Sequence, residues 1–334
     1  MTSALWNPQH PVRKLMIRRR AENSQPGSRS DDHKLGLAVE GGGIRGVVSA
    51  AMLCALEDLG FADVFDDIYA CSSGAINAAY FLNRRTWFPL TIYFDDLTTG
   101  EFLDFRRLLR RQAPMNLDFV FDEVLEKRKP LDYQRIIDAP QTFHVMVTDV
   151  DHIQAVRTSA FTSVNDLRSA LRASAWLPLA TKGTTRFRDY DAIDGGIVRF
   201  HPFRAALEDS CTHILSLSTR PIGPPQTKVS LTSRYVAYHL EKMRTGLGDR
   251  HIACIREYLM QDKPFLAERR NDLYSAPSVL DIAPNPGTPE VKRDEQDRRP
   301  LFEGAAAAFE SIYEILELRD VSAVVRFDVV DRRR

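Results

Sequence analysis

Three short segments of the chain contain residue types that together could carry out acyl transfer. Residues 40–46 read EGGGIRG, residues 70–74 read ACSSG, and residues 191–196 read DAIDGG. Attack on a carbonyl requires a nucleophile, a base that removes its proton, and hydrogen-bond donors for the oxyanion that forms. A serine, an aspartate and a run of glycine N–H groups could supply these three functions.

The first segment is a glycine loop that follows a predicted strand and precedes a predicted helix. Consecutive Gly41, Gly42 and Gly43 allow a tight turn that exposes several backbone N–H groups, and the helix N-terminus behind them adds positive potential. The loop therefore predicts a site for a negatively charged group. Arg45 is either a solvated residue of the first helical turn or a cation that orders the loop and attracts a phosphate head group.

The second segment is a near match to the nucleophile elbow GxSxG, in which a sharp strand-to-helix turn lifts a serine hydroxyl out of a sheet. Ala70 replaces the first glycine and adds only a methyl group, and Gly74 occupies the last position. The register selects Ser72 as the nucleophile and leaves Ser73 to packing or hydrogen bonding. Taken alone, this five-residue match is weak, and a serine that only caps a helix explains the segment better.

The third segment ends in Asp194, Gly195 and Gly196, which taken alone predicts a turn. Asp189 and Asp191 are nearby carboxylates, but neither precedes a Gly-Gly pair. The order of glycine loop, serine elbow and Asp-Gly-Gly is more specific than any one of the three segments.

Three other interpretations of these residues are open: a dinucleotide-binding protein, a hydrolase with a Ser-His-Asp triad, and a hydrolase-like scaffold that has lost activity. Gly41, Gly43 and Gly46 fit the dinucleotide pattern GxGxxG, with Asp66 or Asp67 as a ribose ligand, although both aspartates precede the second predicted strand rather than follow it. A Ser-His-Asp triad would pair Ser72 and Asp194 with a downstream histidine, which the sequence offers at His201, His239 and His251.

The elements that must position these residues follow a strand-to-helix pattern. Residues 35–39 and 68–71 are short apolar runs that predict strands, and residues 47–59 and 75–82 predict the helices after them. Two such units in succession predict a parallel sheet with helices on its faces. Further predicted strands are 142–148, 213–218 and 279–282, and further predicted helices are 166–175, capped by Ser163, and 301–318, which follows a surface loop at 285–300.

Together the three segments resemble the patatin-like phospholipase family, over about residues 34–220, and residues 172–178 (RASAWLP) are similar to the family's segment before the aspartate. The resemblance implies a three-layer α/β/α sandwich with a mostly parallel sheet and a helical C-terminal extension. It implies a lipid acyl hydrolase with Ser72 as nucleophile and Asp194 as base, acting on a lipid or acyl-ester substrate. The N–H groups of Gly41, Gly42 and Gly43 would hold the oxyanion. Supporting roles fall to Arg45, Gly46, Gly74, Gly195 and Gly196, and neither metal nor cofactor is implied. The chain resembles bacterial members that have a basic N-terminal arm and a helical C-terminal extension.

Composition sets the broader limits. The chain has 334 residues, 44% of them hydrophobic, and 45 basic residues against 45 acidic ones. The zero net charge argues against a protein whose main partner is nucleic acid. The longest apolar run, residues 47–56, is about half the length of a membrane-spanning helix. The four cysteines are far apart in sequence, which predicts free thiols and a reduced cytoplasmic setting.

We expect three regions along the chain. Residues 1–34 contain seven basic and three acidic side chains, a net charge of +4, and predict a flexible arm that could touch an anionic membrane surface from the cytoplasmic side. Residues 35–220 form the predicted catalytic domain. Residues 221–334 are expected to pack on it as a C-terminal extension without catalytic motifs.

Overall fold

A computed structural model describes residues 5–224 and 227–316. In these residues one sheet contains eight strands: β1 (Leu35–Val39), β2 (Asp67–Cys71), β3 (Thr142–Asp149), β4 (Gln154–Thr158), β5 (Thr185–Phe187), β6 (Tyr190–Asp194), β7 (His213–Leu217) and β8 (Ser278–Ile282). The strand order is β5-β6-β3-β2-β1-β7-β8, with β4 paired to β3. The five neighbouring strands β3, β2, β1, β7 and β8 are parallel to one another. β4 and β6 run antiparallel to β3, and β5 runs antiparallel to β6.

The register along β3 brings two distant parts of the chain end to end. β2 pairs with the first half of β3 and ends with Cys71 opposite Met146, whereas the antiparallel β6 pairs with the second half and ends with Asp194 opposite Val147. Because β4 occupies the other edge of β3 along both halves, β2 and β6 share one edge. Asp194 therefore lies directly beyond the end of β2, where Ser72 follows.

Helices cover both faces of the sheet. They are α1 (Pro11–Ala21), α2 (Val47–Asp58), α3 (Ser73–Leu82), α4 (Trp87–Asp95), α5 (Tyr133–Ile137), α6 (Val164–Ser174), α7 (Phe203–Glu208), α8 (Leu231–Met243), α9 (Leu247–Glu257), α10 (Lys263–Arg269) and α11 (Arg298–Ile315). Shorter 3₁₀ segments are Gly43–Gly46, Phe105–Arg110 and Gly195–Ile197, and π-helical segments are Phe119–Arg128 and Tyr258–Asp262.

Successive residues of the central strands enter two separate cores because side chains alternate across a strand. In β1, Leu35, Leu37 and Val39 join the core under α2, α3 and α11, whereas Ala38 joins the core under α7. Every residue of β1 and β2 is buried, which explains their continuous apolar character. The predicted three-layer α/β/α fold with a mostly parallel sheet is confirmed.

The last described helix packs on the first helix after the glycine loop. α11 buries a stripe containing Leu301, Ala305, Ala308 and Ile312 against α2. Gly304 permits close packing of α11 on Val291, because a Cβ there would lie 2.5 Å from its Cγ2. The predicted helix thus begins earlier than expected, at Arg298, and residues 317 and 318 of the prediction lie outside the described residues. β8 also places a strand from beyond residue 220 in the central sheet.

The structure corrects the expectation of a flexible arm at residues 1–34, of which residues 5–34 are described. α1 buries Val12, Leu15 and Met16 in the main core. Arg19 is fully buried and binds Asp31 and Asp66, each at 2.8 Å. Four of the seven basic side chains that suggested solvation, those of Arg18, Arg19, Arg29 and Lys34, therefore pair with acidic groups of the chain.

Other sequence predictions can be compared directly. The Ser163 hydroxyl accepts the N–H of Asp166 at 3.1 Å and caps α6 as expected. The cysteines at 54, 71, 211 and 254 are free and buried. In the part of the chain that the structure describes, no helix combines the length and apolar character needed to cross a membrane.

Candidate active site

Ser72 occupies the sharp turn between β2 and α3 that the sequence predicted. Its backbone has φ +56° and ψ −138°, a region that non-glycine residues rarely adopt and that costs about 1 to 3 kcal/mol. Strain of this kind persists only where surrounding contacts hold it. Here the turn presents the hydroxyl at the carboxyl edge of the sheet.

The Ser72 hydroxyl donates a hydrogen bond to Oδ2 of Asp194 at 2.6 Å. The second carboxylate oxygen of Asp194 accepts the N–H of Gly196 at 2.8 Å, and its backbone carbonyl accepts the Thr148 hydroxyl at 2.8 Å. The structure thus brings together two residues that are 122 positions apart in sequence.

Burial raises the pKa of the Asp194 carboxyl above its ordinary value. The Ser72 hydroxyl, the Gly196 N–H and the positive charge of Arg293 oppose this rise because each favours the ionised form. Asp194 is 3% exposed, so desolvation outweighs these three contributions. A carboxylate with a raised pKa is a stronger base than an exposed aspartate.

Glycines allow the loop and the elbow to approach within van der Waals contact. A Cβ on Gly41 would lie 2.4 Å from the carbonyl oxygen of Cys71, and one on Gly74 would lie 2.7 Å from the carbonyl oxygen of Val39. On the aspartate side, a Cβ on Gly195 would lie 2.2 Å from the carbonyl oxygen of Met146. At Gly46 it would lie 2.4 Å from the Ser73 hydroxyl. Each of these four glycines therefore has a steric role.

The N–H groups of the loop differ in their partners. The N–H of Gly42 donates to the Ser73 hydroxyl at 3.1 Å, so it would have to change acceptor to bind an oxyanion. Among the described residues, the structure gives no acceptor for the N–H of Gly43, which has φ +62°. Of these two N–H groups, that of Gly43 is the more ready to bind an anion.

Arg45 is buried and not a solvated residue of the first helical turn. Its Nε donates to the Thr219 hydroxyl at 3.0 Å, and burial together with the charge of Arg220 lowers its pKa to about 9. Glu40 also binds Thr219, through both the N–H and the hydroxyl. Arg45 therefore packs against the base of the glycine loop, and its role toward a phosphate head group stays a prediction.

Ser174 is a supporting residue to which sequence reasoning assigned no role. Its hydroxyl accepts the N–H of Ser72 at 2.9 Å and donates to the carbonyl of Met146 at 2.7 Å. It thereby ties the elbow to α6 and β3. Its position within the RASAWLP segment was the only signal in the sequence.

Residues from beyond residue 220 also line the cleft that contains Ser72 and Asp194. Arg293 lines one side, and its carbonyl accepts the N–H of Ile44 at 2.9 Å. His251 lines the cleft as well, and its Nδ1 donates to the carbonyl of Ile197 at 2.8 Å. Burial lowers the pKa of His251, so the ring is neutral near pH 7. The C-terminal region therefore contributes to the site, although it contains no recognisable motif.

The triad reading is not supported, because the Ser72 hydroxyl is bonded to a carboxylate instead of a histidine. His201 is fully buried, and its ring nitrogens contact the N–H of Phe203 and the Ser218 hydroxyl. His239 lies between two tyrosine rings of α8.

The dinucleotide reading fails on position. Asp67 begins β2, and Asp66 precedes it, so both lie at the amino ends of the parallel strands, whereas the glycine loop follows the carboxyl end of β1. Asp66 is already bound by Arg19, Arg29 and the N–H of Leu35. Neither carboxylate can reach a ribose at the loop.

The structure does assemble one group of metal-ligand type that the sequence did not predict, consisting of Asp67, His144 and Asp209. Lys34 lies 3.1 Å from Asp67 and 3.4 Å from Asp209, and Arg157 lies 3.0 Å from Asp209. These two cations balance the two carboxylates. We therefore describe the group as an ion cluster at the end of the sheet away from Ser72.

The fold and site define a class of α/β/α proteins in which an elbow serine and an aspartate share a hydrogen bond beside a glycine loop. The chain belongs to the patatin-like phospholipase family, whose model matches residues 37–207, just over half of the sequence. That family consists of lipid acyl hydrolases.

Comparison with solved structures finds a similarity to VipD from Legionella pneumophila, at 13% sequence identity and a TM-score of 0.47. The similarity covers 86% of this chain and 67% of that one. No curated protein matches the sequence.

Proposed function

We propose that the protein is a serine hydrolase that cleaves carboxylic ester bonds of phospholipids or other acyl lipids, with Ser72 as nucleophile and Asp194 as base. The observation that carries the proposal is the 2.6 Å hydrogen bond between these two side chains at a strained elbow. Membership of the patatin-like family supports a lipid substrate.

In the first half of the reaction, the Ser72 hydroxyl gives its proton to Oδ2 of Asp194 while Oγ attacks the ester carbonyl carbon. The carbonyl oxygen becomes an oxyanion and is stabilised by the N–H of Gly43, joined by that of Gly42 if it leaves Ser73. When the tetrahedral intermediate collapses, the ester bond breaks and the leaving alcohol takes the proton from Asp194. An acyl-serine remains.

In the second half, a water molecule attacks the acyl carbon and gives its proton to Asp194. The second tetrahedral intermediate collapses to the fatty acid, and the proton returns to Oγ of Ser72. The Gly196 N–H holds the other oxygen of Asp194 throughout, so that Oδ2 stays aimed at the reacting atoms. Arg293 at the cleft wall provides positive charge that suits the phosphate of a phospholipid.

A fluorophosphonate probe tests the nucleophile, because it reacts covalently with activated serine hydroxyls. We expect labelling of the natural chain, no labelling of Ser72→Ala, and full labelling of Ser28→Ala, which changes an exposed serine far from the cleft. Labelling that persists in Ser72→Ala, or that is absent from the natural chain, contradicts the proposal.

Hydrolysis of p-nitrophenyl butyrate tests the base. General-base catalysis typically contributes about 10² to 10⁴ in rate, so Asp194→Asn should reduce kcat by that factor. Asp191→Asn is the matched control, since it makes the same substitution three positions away on a half-exposed side chain that pairs with Arg186 at 3.7 Å. Equal activity of the two variants would exclude Asp194 as the base.

A further inference from the structure

Residues 105–111, here named the arginine turn, form an exposed segment that is both basic and apolar. Its sequence is FRRLLRR, and none of residues 105–110 is buried. Leu109 is 88% exposed, Leu108 is 53% exposed and Phe105 is 50% exposed. Large apolar side chains seldom stand this exposed together unless the surface they form contacts a partner.

The four arginines of the arginine turn are only partly used within the protein. Arg106 pairs with Asp104, and Arg107 donates to the backbone carbonyls of Gly100 and Glu101. Within the described ranges, the structure gives no acidic partner for Arg110 or Arg111. The turn therefore presents positive charge beside exposed leucine side chains.

Two loops that line the catalytic cleft hold the base of the arginine turn. On one side, the N–H of Met115 donates to the carbonyl of Ala180, three residues after Leu177, which lines the cleft. On the other side, the side chain of Gln296 donates to the carbonyl of Leu103 at 3.0 Å. Gln296 follows Arg293, which lines the cleft, by three residues. The turn consequently projects from the same edge of the sheet as the cleft.

The basic N-terminal region cannot serve this edge. Arg19, Arg29 and Lys34 bind acidic groups at the amino ends of the strands, which is the opposite edge of the sheet. A membrane that bound there would face away from Ser72. Compared with this N-terminal region, the arginine turn lies on the side of the reacting atoms.

We propose that the arginine turn docks the protein on the surface of an anionic lipid bilayer, with the leucine side chains in the interface and the arginines among the head groups. This inference rests on the proposed function for its purpose, which is to place the cleft against its substrate. A bilayer surface accommodates both the arginines and the exposed leucines of the turn, because anionic head groups attract cations and the acyl boundary accepts apolar side chains. Nucleic acid would use the arginines and leave Leu108 and Leu109 in water.

The test measures binding of the full chain to vesicles that contain 70% phosphatidylcholine and 30% phosphatidylglycerol, by co-sedimentation. A cation near an anionic surface strengthens partitioning about fivefold, so Arg110→Gln with Arg111→Gln should weaken binding about 30-fold. Leu108→Ser with Leu109→Ser should weaken it by about tenfold or more. Vesicles of phosphatidylcholine alone should bind the natural chain weakly.

The matched control removes two exposed cations from other surfaces, in Lys14→Gln with Arg135→Gln. This double variant should bind vesicles as the natural chain does. Unchanged vesicle binding in both arginine-turn variants would overturn the inference. If the arginine-turn variants bind vesicles normally but lose binding to an oligonucleotide, the inference is likewise overturned, and nucleic acid is the partner of the turn.

Activity assays separate this inference from the proposed function. The arginine-turn variants should hydrolyse soluble p-nitrophenyl butyrate at the natural rate and hydrolyse vesicle phospholipid more slowly. If the natural chain hydrolyses neither substrate, the proposed function fails, and the vesicle-binding measurement still decides whether the turn docks. Leu109→Trp should change its tryptophan fluorescence on addition of anionic vesicles more than the natural chain does. If the two changes are equal, the side chain at position 109 does not enter the interface.

Discussion

Replacement of Ser174 by alanine should separate support of the elbow from the chemistry at Ser72. Ser174 is fully buried near the end of α6, and its hydroxyl joins the Ser72 N–H to the Met146 carbonyl. The substitution removes both hydrogen bonds and introduces no steric clash. It leaves the Ser72 N–H and the Met146 carbonyl without the partner that the buried Ser174 hydroxyl supplies.

The expected magnitudes follow from these contacts. A buried polar group without a partner costs about 1 to 3 kcal/mol, so two such groups should lower the free energy of unfolding by about 2 to 4 kcal/mol after relaxation. The Ser72 backbone is strained by about 1 to 3 kcal/mol, and loss of the Ser174 bond allows it to relax. A displacement of about 1 Å at a reacting atom can cost about 10² in rate. We expect kcat to fall about 10- to 100-fold, with KM little changed.

The assay compares urea denaturation and ester hydrolysis for Ser174→Ala and Ser163→Ala. Both variants remove a serine hydroxyl from the ends of α6, but Ser163 only caps the helix, at a cost of about 1 kcal/mol. Ser163→Ala should therefore lose stability and retain kcat. If Ser174→Ala also loses only stability, the positioning role assigned to Ser174 is wrong.

Three further predictions concern the site and its surroundings. Burial raises the pKa of Asp194, and the base must be ionised, so kcat/KM should fall with decreasing pH at values above the ordinary aspartate pKa of about 3.9. Arg293→Gln removes a charge that lowers this pKa and should move the acid limb of the pH profile to higher pH; an unmoved limb would exclude this electrostatic role. Gly41→Ala should reduce kcat/KM more than about 10³-fold because its Cβ would meet the Cys71 carbonyl, whereas Gly100→Ala, with no atom within 4 Å, should match the natural chain. Asp281→Asn breaks a buried pair with Arg270 and should lower the free energy of unfolding by about 3 kcal/mol in urea, while fluorophosphonate labelling of the folded protein is retained.

The parallel core was predictable because its signals are local. β1 and β2 are short, fully buried apolar runs, each followed by small residues and a helical pattern. The same local chemistry selected Ser72 and Asp194, since an elbow and an Asp-Gly-Gly turn each require particular residue types at fixed spacing. These features need no knowledge of distant contacts.

The remaining features depend on contacts between distant parts of the chain. β4 has a half-exposed sequence, QAVRT, that gains its partner only along the edge of β3. Arg293 reaches the glycine loop from a charged loop that looks like ordinary surface in sequence. The apolar residues of α1 have helical spacing, but the arginines between them indicate solvation until Arg19 is seen to be buried. Such burial depends on Asp31 and Asp66, which no local pattern connects to it.

The packing of α11 on α2 also bears on how the protein can be divided. The segment that matches the family, residues 37–207, contains the nucleophile and the base but neither α11 nor β8. If it were excised, α2 would expose the apolar face that α11 covers, β1 would lose its partner β7 and become an unprotected edge, and the glycine loop would lose the Arg293 carbonyl. We expect such a fragment to aggregate when it is expressed alone. The smallest unit of this protein that folds stably is then expected to be larger than residues 37–207, the segment that matches the family.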